Sequence, residues 1–74
     1  MMQTYLRETV AAQVVKSFGN FKPGDTIPIN RVVRSDEGGF VGVRGQDDLL
    51  PPTAIDKVSR RKVVRQFADI NSQR

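Results

Sequence analysis

The clearest pattern along the chain is an alternation of period two in its middle. Ile27, Ile29 and Val33 fall on one side of an extended backbone and Asn30, Val32 and Arg34 on the other, which predicts a half-buried strand over residues 26 to 34. Pro28 removes one ladder donor and so favours an edge position or a bulge. Ahead of this strand, Pro23-Gly24 suits the two central positions of a type II turn, because proline presets φ and glycine accepts a positive φ. Behind it, SDEGG (residues 35 to 39) supplies turn residues before FVGVR, a second strand with Val41 and Val43 on one face. The two strands make a β-hairpin.

The flanks are patterned differently. QDDLLPP places Leu49 and Leu50 just before a double proline, and Pro51 bars Leu50 from the helical region, so a short strand stops there. AIDKV, residues 54 to 58, reads as a further short strand. From Ser59 the period changes: Val63, Phe67 and Ile70 form one helical stripe, with Arg60, Arg61, Arg65 and Asp69 on the other face. Ser59 suits the N-cap, although three basic residues then occupy the first turn and oppose the macrodipole. A helix starting at Thr53 and running through Ile55 and Val58 fits nearly as well. TYLRETVAAQVVKSFG near the N-terminus satisfies both periods. Leu6, Val10 and Val14 make a helical stripe with Gly19 as its stop, whereas Val10, Ala12 and Val14 alternate on one strand face among β-branched neighbours.

Composition narrows the chemistry. A chain of 74 residues makes one small domain, which buries only about 60% of its extended-chain surface and leaves no room for a deep substrate cavity. It contains no cysteine and no histidine. Disulfides, thiolate zinc sites and Ser-His or Cys-His catalytic pairs are therefore excluded. No apolar run approaches the roughly 18 residues of a membrane span, and Arg7-Glu8 stands where a signal peptide carries its apolar region, so the expected compartment is the cytoplasm.

The net charge of +4 is unevenly placed. Residues 1 to 58 balance: Arg7, Lys16, Lys22, Arg31, Arg34, Arg44 and Lys57 stand against Glu8, Asp25, Asp36, Glu37, Asp47, Asp48 and Asp56. Residues 59 to 74 carry Arg60, Arg61, Lys62, Arg65 and Arg74 against Asp69 alone. Such segmental asymmetry points to an anionic or acidic partner.

Taken in order, VVKSF, GNFKPGD, TIPI, GGFVGV and GQDDLLPPTAIDKV resemble the succession of parts in a Src-homology-3 (SH3-like) barrel, over residues 10 to 58. Phe21-Lys22-Pro23-Gly24-Asp25, with the alternation after it, is also similar to the KOW modules of transcription and translation factors. The resemblance implies a mainly β fold: a small SH3-like antiparallel barrel or curled sheet over residues 1 to 58, with an amphipathic helix over residues 59 to 74. It favours a strand at the N-terminus; the other arrangement is an N-terminal helix, a central hairpin and a C-terminal helix. SH3 adaptor domains grip proline-rich peptides with a tryptophan-bearing groove. Here tryptophan is absent and Phe40-Val41 occupies the corresponding place, so a proline-rich ligand is not expected. The KOW-like comparison implies docking onto large nucleic-acid machines such as RNA polymerase or the ribosome.

The candidate contact residues are Arg60, Arg61, Lys62 and Arg65, four cations over two helical turns, which suit a phosphate backbone or a carboxylate-rich protein surface and equally a solvated helix face. Arg31, Arg34 and Arg44, on or beside the hairpin, extend the candidate surface, although arginines on an outer sheet face are ordinary. Phe40 reads as core, and Tyr5 is a second aromatic without a flanking cluster. Asp47 and Asp48, read as adjacent strand residues, point to opposite faces and so cannot converge on a substrate. The glycines at 38, 39, 42 and 45 read as turn and bulge residues. The expected function is a non-catalytic regulatory protein, of the kind phages use, docking on the bacterial RNA polymerase transcription complex, with no cofactor, metal or small-molecule substrate. The alternative is direct RNA or DNA binding through the basic helix.

Overall fold

The computed structural model describes residues 2 to 72. The fold is mainly β, with β1 (Met2–Gln13), β2 (Thr26–Ser35), β3 (Gly38–Val43), β4 (Leu49–Leu50), a 3-10 turn at Pro52–Ala54 and one helix, α1 (Lys57–Ser72). The strands form an open antiparallel sheet in the order β1-β2-β3-β4. Of the expected barrel or curled sheet, the open form is found. The opening is spanned by a lone bridge from Val14, just past β1, to Ile55, just past the 3-10 turn. The N-terminal segment, which satisfied both periods, is a strand.

Local turn chemistry explains the β1–β2 connection. Asp25 N–H donates to Lys22 O at 3.0 Å across Pro23-Gly24, and Gly24 has φ +97, as the third residue of a type II turn requires. The Asp25 carboxylate returns the contact by accepting from Lys22 N–H at 2.9 Å.

The core lies between the sheet and α1. Val10, Ala12, Val14, Ile27, Ile29, Val41, Val43, Leu50, Ala54, Ile55 and Val63 form one buried cluster, with Leu6, Phe21 and Val32 packed against it. The phase of β2 departs from simple alternation. Ile29 pairs with Val43, but Arg31 pairs with Gly42 and Val32 with Val41, so Asn30 is an extra residue on β2. Beyond this bulge it is Val32, rather than Val33, that faces the helix. Val33, 1% exposed, is buried on the opposite side, opposite Phe40 in the ladder.

The bulge also turns Arg31 onto that second side, where it is buried. Its guanidinium donates to Val43 O at 2.8 Å and to Gln46 O at 2.7 Å, with a longer contact to Asn30 Oδ1 at 3.2 Å. It therefore staples the β3–β4 turn. Gly42, read from the sequence as a turn or bulge residue, lies within β3 and leaves the room in which this side chain lies.

The AIDKV strand is not formed. Proline at 51 and 52 starts a 3-10 turn, Ile55 makes a single bridge, and the helix begins at Lys57. The N-cap is Asp56, not Ser59. Its carboxylate accepts from Ser59 N–H at 3.4 Å and its carbonyl from Arg60 N–H at 3.0 Å. It also accepts from Gln13 N–H at 3.3 Å, while Asp56 N–H donates to Gln13 O at 3.0 Å. A second tie sits further along the same pair of elements, where the Gln66 amide donates to Glu8 O and accepts from Glu8 N–H, both at 3.0 Å. These are backbone groups of the stretch between Tyr5 and Val10, where the register with β2 shifts. The bulged backbone is thus satisfied by the helix.

The Ser59 hydroxyl hydrogen bond, with the Ser59 and Gln13 amides, holds the Asp56 carboxyl below its ordinary value of 3.8 against an opposing effect of burial. A depressed carboxyl stabilises the fold while ionised, and that contribution is lost as pH falls from 3.8 through the lower folded value. Asp56→Ala is expected to cost about 1 kcal/mol at neutral pH. The gap in urea midpoint between the two proteins should narrow below pH 3.8; a gap constant down to pH 2 would show that the cap acts without its charge.

Candidate functional site

The 16-residue helix α1 sets the geometry of the cations. Its inward side is Ser59 and Val63, both buried, flanked by half-buried Gln66, Phe67 and Ile70. Lys57, Arg61, Val64 and Arg65 recur at helical spacing on the outer side, and Val64 is 64% exposed. With Arg60 they line an open depression of about 630 Å³ in which basic groups surround one apolar residue. The single carboxylate of α1 is Asp69, one turn beyond Arg65.

Next to this depression is a smaller groove of about 130 Å³ that presents no polar surface. Val32, Gly39, Val41, Pro52, Val63 and Phe67 line it, so it lies between the helix and the β2–β3 face. Arg60 and Val64 belong to both concavities and form the ridge between them. Arg60 Nε is buried without a hydrogen-bond partner. Two helical turns further on, Arg34 places its guanidinium carbon 5.9 Å from the centre of the Phe67 ring, within cation–π range.

The candidate residues thus separate into groups. Arg60, Arg61 and Arg65 come together. Lys62 lies on the other flank of the helix, beside Glu8 and Gln66. Arg34 joins the groove through Phe67. Arg44 is exposed just after β3 and lines neither the depression nor the groove. Arg31 is occupied internally by backbone carbonyls. Arg74 lies outside the described residues. Lys57 belongs to the cluster although it lies ahead of the charge-rich segment that begins at residue 59; the Asp56 cap places it there by starting the helix at Lys57.

Asp47 and Asp48 are in the loop before β4 rather than in a strand, and both are exposed. Among the described residues no group of three acidic side chains is placed to hold a metal ion. None of their helices is long and apolar enough to cross a membrane. No protein-family model, curated protein or solved structure matches the chain.

Proposed function

We propose that this is a non-catalytic binding protein that docks through α1 on an acidic surface of a larger nucleic-acid machine, first among them the bacterial RNA polymerase transcription complex. The observation that carries this reading is the arrangement of Lys57, Arg60, Arg61 and Arg65 around exposed Val64. On a docking face the cations steer the encounter while the apolar centre supplies the desolvated contact. The choice of the transcription complex rests on the KOW-like turn at residues 21 to 25 and on the small size of the chain.

The test is capture of RNA polymerase subunits from lysate by tagged protein, beside a gel shift with RNA and DNA at physiological salt. Capture without a shift is expected. Arg61→Ala/Arg65→Ala, both exposed, should weaken capture about tenfold at two rim contacts while leaving the unfolding midpoint unchanged. Equal capture by this variant would remove the reading. A strong gel shift, with a salt slope of about 0.7 to 0.9 per phosphate, would replace it with direct nucleic-acid binding.

A further inference from the structure

The groove beside the basic depression has a shape and surroundings that specify its occupant more closely. Resting on the docking reading above, we infer that it receives one large apolar side chain, Phe or Leu, from an acidic peptide segment of the partner protein. Size is the first argument. At about 130 Å³ the groove is close to the ~150 Å³ apolar cavity known to admit a benzene ring, so it holds one aromatic or branched side chain and not two.

Charge is the second. Arg60 stands on the ridge of the groove, and Arg34 lies over Phe67 of its wall. Residues 60 and 67 are separated by about 10 Å along the helix at 1.5 Å per residue. An extended peptide covers that distance in about three residues. Acidic side chains on either side of the anchor therefore reach both arginines.

The lining decides between peptide and nucleic acid. A nucleobase has hydrogen-bonding groups around its edge, and in a groove that presents no polar surface these would be buried unpaired. A hydrocarbon side chain carries no such penalty.

The probes are a peptide of about twelve Asp, Glu and Ser residues with one central Phe, the same peptide with Ala in its place, and a single-stranded oligonucleotide, each labelled for anisotropy. The groove variant is Gly39→Leu. Gly39 lines the groove, and a Cβ there meets nothing within 4 Å, so the variant fills the space and keeps every cation. The Phe peptide is expected to bind wild type at least about tenfold tighter than the Ala peptide, from burial of one large side chain. Gly39→Leu should erase the difference. If the two peptides bind equally and Arg61→Ala/Arg65→Ala weakens both, the docking reading stands and the groove assignment falls. Binding of the oligonucleotide alone overturns the acidic-peptide occupant. If no probe binds, the inference is overturned, and the polymerase capture experiment decides the docking reading separately.

Discussion

Gly42→Ala is expected to remove about 3 kcal/mol of folding stability, comparable with all that a domain of this length possesses. The reason is the placement of Arg31. A Cβ at position 42 would lie 2.5 Å from Arg31 Nε and 2.6 Å from both Cγ and Cζ. Because the contact includes Cγ, moving the guanidinium tip alone does not relieve it; the whole side chain must vacate the site. Val43 and Gln46 carbonyls then lose a charged donor, and hydrogen bonds to charged groups are worth about 1.5 to 3 kcal/mol each. The diagnostic measurement is a double-mutant cycle by urea unfolding. With Arg31→Ala already in place, adding Gly42→Ala should cost less than about 1 kcal/mol, since the clashing side chain is gone. Full additivity of the two would show that Gly42 is required by the strand itself and not by Arg31.

The second large effect is expected at Ile55. This side chain is fully buried at 0% exposure and bridges to Val14 across the open side of the sheet. Ile55→Ala leaves a cavity where β1, the 3-10 turn and the start of α1 meet, and should cost about 3 kcal/mol. Val58→Ala, three residues on and at 58% exposure, should change stability by less than about 0.5 kcal/mol. Thermal or urea midpoints for the pair test the assignment; similar losses at both positions would mean that α1 begins in a different register.

The Ile55 and Val58 pair shows where local pattern stops being informative. In the sequence the two share a stripe if a helix runs from Thr53, and fall on opposite faces if residues 54 to 58 are a strand. Which is buried depends on the Gln13–Asp56 contact, made between residues 43 apart in the chain. By contrast the hairpin, the type II turn at Pro23-Gly24 and the short strand ending at Pro51 were legible, because each is fixed by neighbours within a few positions. The N-terminal strand was undecided locally. Pairing with β2 at both ends selects the extended form, and the intervening residues are accommodated by Gln66.

The same division holds at the candidate site. Concentration of charge identified Arg60, Arg61 and Arg65. Nothing in the spacing of Arg34 or Phe67 announced that they meet. Alternation sets Arg31 on the face of Ile29 and Val33, and the Asn30 bulge that turns it to the other face, onto backbone carbonyls, forms only when β3 is alongside. A glycine inside FVGVR was the available signal, because glycine in a strand interior often marks close approach by another group.

The two ties between α1 and β1, at Gln13–Asp56 and Glu8–Gln66, have a consequence for recognition. The helix is clamped at points ten residues apart on its own length, so it can neither swing nor roll as a loose tail would. The backbone that carries its cations is preorganised, so the entropy of ordering that backbone is lost during folding, and side-chain freedom alone remains to be lost on association. A partner therefore meets charges at fixed points of attachment. Discrimination between surfaces follows from the match in spacing, which a flexible basic tail of equal charge could not provide.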